Sequence, residues 1–213
     1  MSATTDTKKR TNERSSATNV SKLVKIAMLA AVATVLMLVE FPLPFIAPPF
    51  YELDFSEVPI LVGAFAMGPL AGVAIEAIKI LLNFVINGTI TAGVGEFANF
   101  ILGCAFLLPA SLIYRQKKTK KRAIIGMALG TVIMTVAGCV MNAFVLLPAY
   151  GAAFGMPVDA FVQMGTAINK SINSLFTFAV LAVGPFNLIK GILDSVIVML
   201  IYKRIRVILK GDI

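Results

Sequence analysis

Histidine is missing from all 213 residues of the chain. Its absence removes the commonest general base and metal ligand, and with them intramembrane serine proteases and zinc peptidases of the usual kind. An enzyme is disfavoured on that ground alone. Cysteine is nearly missing too: Cys104 and Cys139 fall in separate apolar stretches, where a lone thiol behaves as a small hydrophobe, and two isolated cysteines make neither a metal set nor a disulfide framework. No Gly-x-x-x-x-Gly-Lys-Ser/Thr phosphate loop occurs, so any ATP-driven function needs another polypeptide. The first 21 residues hold no apolar stretch and therefore lack the core of a cleavable signal peptide. Rich in Ser, Thr, Asn, Lys and Arg, residues 1–21 read as a disordered, polar, basic cytoplasmic tail.

What is abundant is apolar. Such residues make up 58% of the chain and run almost without a break from Leu23 to Tyr202. One soluble core cannot hide that much apolar surface, so residues 22–213 read as a single all-α integral membrane domain in a lipid bilayer. The formal net charge of +8 would suggest nucleic acid in a soluble protein. Here the basic residues sit in blocks beside the apolar spans, the positive-inside pattern, and a nucleic-acid partner is disfavoured.

Those blocks also order the spans. Lys8, Lys9, Arg10, Arg14, Lys22 and Lys25 lie before or at the start of a first span at Leu23–Glu40, and Arg115, Lys117, Lys118, Lys120, Lys121 and Arg122 follow a span at Val94–Tyr114. An even number of crossings must separate two cytoplasmic clusters. That parity splits the 29-residue stretch Val58–Ile86 into two short helices turning at Gly68-Pro69. Ala123–Leu147 and Pro185–Tyr202 then complete six transmembrane helices, with Lys203, Arg204, Arg206 and Lys210 after the last and both termini cytoplasmic. After the first helix, Phe41–Phe50 carries four prolines and forbids a continuous helix, while Asp54-Phe55-Ser56-Glu57 offers a capping-box start for the next. The connection Pro148–Gly184 includes an apolar piece, Ile172–Val183, too short to span, and is expected to fold over the outer mouth as a lid or interfacial segment.

Polar residues inside the spans mark the candidate sites. An intramembrane lysine costs ~2.5–3.5 kcal/mol on insertion scales unless something receives it. A helix beginning at Pro185 puts Asn187 and Lys190 on one face of its first two turns, near free backbone N–H groups, as a socket for a polar ligand. The competing account pairs Lys190 with Asp194 one turn on. Asn142, Glu96 and Asn99 fall in the same outer half of the bundle, although any one amide alone serves equally as glue between helices. Taken together beneath a Pro-rich and Phe-rich loop, these groups describe a pocket for a flat, polar-edged, uncharged heterocycle. Glu76 and Lys79, one turn apart, read as a self-satisfying pair ahead of a proton-coupling site. Ala27 and Ala31 form a small-xxx-small pair that permits close helix approach, inside the bundle or against a partner.

Phe41-Pro42-Leu43-Pro44-Phe45, Leu53-Asp54-Phe55-Ser56-Glu57-Val58-Pro59, Gly68-Pro69, Asn142 with Leu147-Pro148, and Pro185-Phe186-Asn187-Leu188-Ile189-Lys190-Gly191 resemble the riboflavin-specific substrate-binding subunits of energy-coupling factor transporters. The resemblance covers nearly the whole chain after residue 22, and the absence of Trp is unlike the thiamin branch. It implies a six-helix binder of the bacterial cell membrane that captures riboflavin at the extracellular side and docks on a transmembrane coupling protein attached to two cytoplasmic ATPases. Riboflavin is then the transported substrate and not a cofactor, no metal is needed, and the whole bundle topples to release it. By the same resemblance Asn187 and Lys190 hydrogen-bond the polar edge of the isoalloxazine or the ribityl chain, and Asn142 adds a further bond. Pro44, Phe45 and Ala47 cover the ring, and Ala27 and Ala31 face the coupling protein. Glu96 and Asn99 rest on position alone. Two other readings stay open: a subunit for another vitamin, and a self-sufficient transporter coupled to protons or sodium through Glu76, Lys79, Lys190 or Asp194. A lipid-group transferase ranks last, because no span clusters acids at metal-binding spacing.

Overall fold

The structure, a computed structural model, describes the backbone of residues 3–89 and 93–210. Side chains of residues 3–18, 202, 203 and 205–210 lie outside the described residues, and with them Lys8, Lys9, Arg10, Arg14, Lys203, Arg206 and Lys210 of the expected basic clusters. Helix α1 covers Ala3–Met37, and its apolar part, Asn19–Met37, is long enough to cross a bilayer. The backbone of residues 3–18 continues that helix where composition points to an irregular tail. Glu40 falls beyond the helix end, so the first span is shorter at its far end than expected.

Two short strands follow, β1 at Phe41–Pro42 and β2 at Glu52–Leu53, paired antiparallel with Phe41 opposite Leu53 and Pro42 opposite Glu52. The Pro-rich loop is thus tied at its base as a ribbon, and Pro42 is tolerated because a two-stranded ribbon has only edges. Helix α2, Glu57–Met67, is apolar but 11 residues long, about 16 Å against a hydrocarbon core of roughly 30 Å. The capping box expected at its start does not form: Ser56 makes no side-chain cap, its N–H donates to Asp54 Oδ1 at 2.8 Å, and Glu57 turns inward. Gly68, at φ 99°, breaks the chain in a backbone region that glycine tolerates best, and Pro69 opens α3, Pro69–Asn87. The break falls where expected, yet only α2 is short, since the 19 residues of α3 suffice for a span.

Helix α4, Val94–Gln116, packs against α5, Lys120–Met141. Helix α5 does not end at Leu147-Pro148: it passes through a π-helical segment, Asn142–Leu146, into α6, Leu147–Phe154, as one 35-residue stretch. Helix α7, Val158–Ile168, leads back to α8, Leu175–Phe178, a second π-helical segment, Ala179–Val183, and α9, Gly184–Lys210. The stretch Leu175–Ile201 is a single candidate span. Most of Ile172–Val183 therefore belongs to the last span, not to a lid, and Pro185 sits inside a continuous helix instead of starting one. In both places the π segment ends two residues before a proline, Leu146 before Pro148 and Val183 before Pro185. Proline removes an N–H and crowds the carbonyl one turn back, and a wider π turn accommodates both. Five helical stretches among the described residues are long and apolar enough to cross a membrane, and α2 is an apolar sixth that is too short by length alone.

Two apolar cores result. One, with Ala30, Ile60, Ile75, Phe106, Ala110 and Met127, ties α1 to α5 and reaches α9. The other, with Ala47, Leu53, Leu147, Phe161, Phe178 and Phe186, lies under the ribbon and joins it to α6 through α9. Helices α4 and α5 approach so closely that a Cβ on Gly126 would lie 2.6 Å from the carbonyl oxygen of Ala110, and one on Gly130 would collide with that of Phe106. Charge is segregated along the helices: α1 carries Lys22 near the start of its span and Glu40 beyond its end, and α4 runs from Glu96 to Arg115.

Candidate functional site

Where the two cores meet, beneath the ribbon, there is a cavity of about 210 Å³ lined by residues of the ribbon and of helices α4, α5, α6 and α9. Its polar walls include Asn99, Asn142, Asn187 and Lys190; its aromatic walls are Phe50, Tyr51, Tyr150 and Phe186. Larger grooves of about 530 and 540 Å³ run beside α5 and α9 and along α1 and α2, but their walls are mostly apolar side chains. Convergent polar groups, not size, single out the ribbon cavity.

Each polar wall is positioned from elsewhere in the fold. Asn142 opens the first π segment, where its Nδ2 donates to Gly138 O at 2.8 Å and its Oδ1 accepts from the Tyr51 hydroxyl at 2.5 Å. Asn187 follows the second π segment by one turn, and its Nδ2 donates to Val183 O at 3.0 Å. Gly138 makes the space for it, since a Cβ there would lie 2.7 Å from Asn187 Nδ2. The free helix-start N–H groups expected beside Asn187 are absent, because the helix runs through Pro185. Asn99 is half-buried with no hydrogen-bond partner among the described residues, so its amide is open to the cavity.

Lys190 does not pair with Asp194 as the local spacing suggested. Its Nζ donates to Asp54 Oδ2 at 2.5 Å, and the Asp54 side chain is 4% exposed. Burial alone would push the Asp54 carboxyl up. The Lys190 and Lys79 ammonium groups, with hydrogen bonds from Lys190 and Ser56, outweigh burial and hold it at about 2. At the mouth, burial raises Glu40 to about 7, reinforced by the adjoining carboxylates Glu52 and Asp54, so the rim carries less negative charge at neutral pH than its sequence implies. Asp194 is fully buried, and neither of its oxygens has a hydrogen bond among the described residues. Glu76 and Lys79 do pair, at 2.9 Å, but as part of a triad in which Glu57 approaches the same ammonium at 3.0 Å and Ser56 Oγ accepts from it at 3.3 Å.

The expected site residues divide into two groups. Asn99, Asn142, Asn187 and Lys190 come together on the cavity. Glu96 does not line it and instead accepts from Thr89 Oγ1 at 3.2 Å, bracing the α3–α4 loop. Pro44 and Phe45 are exposed, and Ala47 is buried in the second core, with none of the three on the cavity wall. Ala27 and Ala31 are exposed on α1, while Ala30 and Ala33 of the same small-residue surface are fully buried. Sequence reasoning missed Tyr51, whose ring meets Phe50 at 4.7 Å and Phe186 at 5.6 Å between centroids. It also took Asp54 for a helix cap. A carboxylate between Leu53 and Phe55 facing a lone intramembrane lysine was the available signal.

Comparison with known proteins places this geometry in a lineage. A family model described as ECF transporter, substrate-specific component, matches residues 21–202. The riboflavin transporter RibU of Staphylococcus aureus (strain TCH60) is 40% identical over 89% of this chain and 92% of its own. The riboflavin transporter FmnP of Bacillus subtilis (strain 168) is 37% identical over 88% and 93%. A solved structure described as the S component of a bacterial ECF transporter superposes with a TM-score of 0.72 at 37% identity, covering 91% of this chain and 99% of that one. The chain belongs to the substrate-specific components of ECF transporters.

Proposed function

We infer that this chain is the riboflavin-binding membrane subunit of an energy-coupling factor importer. The observation that carries the reading is the meeting of three amides and one ammonium, Asn99, Asn142, Asn187 and Lys190, with the rings of Tyr51 and Phe186 in one cavity. A flat tricyclic ring offers apolar faces to aromatic walls and a donor–acceptor edge to amides. Relatives at 40% and 37% identity carry riboflavin in their names.

In this reading six helical segments cross or enter the bilayer, both termini are cytoplasmic, and the ribbon end with its cavity is extracellular, in keeping with the basic residues at the other end. Residues 1–21 form a separate polar segment ahead of the membrane domain 22–213. Riboflavin enters beneath the Phe41–Leu53 ribbon. Asn187 and Lys190 read its polar edge, Asn142 and Asn99 add bonds, and the loop bearing Pro44, Phe45 and Ala47 covers the ring. Tyr51, fastened to Asn142, closes the wall. Glu96 supports the site from the α3–α4 loop. Riboflavin is cargo, no chemical step occurs, and no cofactor or metal takes part. Release is driven by two ATPase subunits through a transmembrane coupling protein, which meets α1 at the exposed Ala27 and Ala31. Glu76 and Lys79 are accounted for by their triad with Glu57 without a role in ion coupling.

The test is a titration of the detergent-purified chain with riboflavin, followed by quenching of flavin fluorescence. Wild-type protein should quench stoichiometrically. Asn187→Ala, and the paired substitution Lys190→Gln with Asp54→Asn that strands no charge, should each weaken binding at least tenfold. Unchanged affinity in both would overturn the site assignment.

A further inference from the structure

At the end of the bundle opposite the ribbon there is a second cleft, of about 300 Å³, formed by the start of the apolar part of α1, the α2–α3 turn and the end of α4. Lys22, Arg115 and Lys118 line it, and no acidic residue does. None of these three cations has an ion pair or hydrogen bond among the described residues, whereas Arg122 nearby donates to Gln116 at 3.1 Å. The remaining wall is mostly apolar, with Phe65, Met67 and a Leu70 that is 83% exposed, beside Ser111 and Tyr114.

A scatter of basic residues at the cytoplasmic edge of a membrane protein orients it and needs no ligand. Three cations gathered from α1, the end of α4 and the α4–α5 connection around one cleft, repelling one another and unpaired among the described residues, are a different arrangement. Basic pockets between transmembrane helices at this depth suit phosphate headgroups. A phosphate carries the missing counter-charge, and its oxygens accept from both lysines and the guanidinium. Exposed Leu70 and half-buried Met67 beside the cations favour an amphiphile, since a free anion gains nothing from an apolar wall. We propose that this cleft holds the phosphate headgroup of an anionic phospholipid, with the start of its acyl chains along the α2–α3 turn.

Native mass spectrometry of the purified full chain, in micelles doped with either phosphatidylglycerol or phosphatidylcholine, tests this. One phosphatidylglycerol should be retained and phosphatidylcholine should not. Lys22→Gln/Arg115→Gln/Lys118→Gln should cut retention at least fivefold. The charge-matched Lys117→Gln/Lys120→Gln/Lys121→Gln, which leaves the cleft intact, should keep it. Far-UV circular dichroism melts establish that both variants are folded, and Arg115→Gln alone, on the exposed rim, should show a smaller loss in the same direction if the triple variant is not. Equal retention of the two lipids, or equal loss in the two triple variants, would overturn the proposal in favour of diffuse charge. Inorganic phosphate bound without lipid, and lost in the first variant, would overturn it in favour of a free-anion site.

Discussion

Lys79 is fully buried, and its ammonium has Glu76 at 2.9 Å and Glu57 at 3.0 Å. Removing one member of a buried ionic group strands its partners at ~3–5 kcal/mol, while replacing the whole group with neutral residues of similar volume is close to neutral. Lys79→Met should therefore lower the thermal midpoint in detergent sharply. Adding Glu57→Gln and Glu76→Gln should recover most of that loss. A Lys79→Met variant as stable as wild type would show that the triad contributes nothing to the fold. The Glu76–Lys79 half of this cluster was legible, because residues three apart on a helix meet. Glu57 was not, since it arrives from a different helix. Lys190 gives the same lesson more sharply: its local candidate, Asp194, is left without a hydrogen bond among the described residues, and its partner, Asp54, lies 136 residues away. Local spacing finds the residues that need a partner, and only the fold says which partner each receives.

Between elements, the most extensive contact is α4 against α5, where Gly126 and Gly130 admit the backbone of Ala110 and Phe106. An added methyl in so tight a seam forces a backbone shift, typically at ~1–3 kcal/mol. Gly130→Ala is expected to lower the melting temperature and Gly126→Ala/Gly130→Ala to lower it further, both read by loss of helical circular dichroism on heating; no change in either would mean that the helices part without cost. The span α4 was legible from apolar length and flanking charge, and the α2–α3 break from parity and Gly68-Pro69, but the full span length of α3 was not. The courses of the spans past Pro148 and Pro185 were not legible, because proline in a sequence signals a helix boundary, and nothing local says that a π turn will carry the chain past it. That turn has a geometric use. Met134 and Tyr150 both line the cavity, yet sixteen residues of regular α-helix would set them about 160° apart, and one extra residue in a turn reduces this to about 60°. The widened turn lets both ends of α5–α6 face the same space.

For the molecule as a whole, the exposed Ala27 and Ala31 offer a flat strip on α1 that leaves the cavity untouched. Ala31→Trp should leave riboflavin binding in detergent unaltered and abolish uptake by cells that supply the coupling module, because close helix approach tolerates no large side chain. Uptake at the wild-type rate would remove α1 from the docking surface. Membership of the family was readable from strings near both ends of the membrane domain, since those residues fold onto one cavity. The division of charge, with Lys22 and Arg115 at one end of the bundle and Glu96 at the other, has an energetic consequence of its own. It makes the bundle an electric dipole aligned with the bilayer normal. An inside-negative membrane potential pulls its basic end inward, at about 2.3 kcal/mol for each charge carried fully across 100 mV. Membrane voltage therefore favours the orientation that puts the Lys22 and Arg115 end inside and the ribbon end outside.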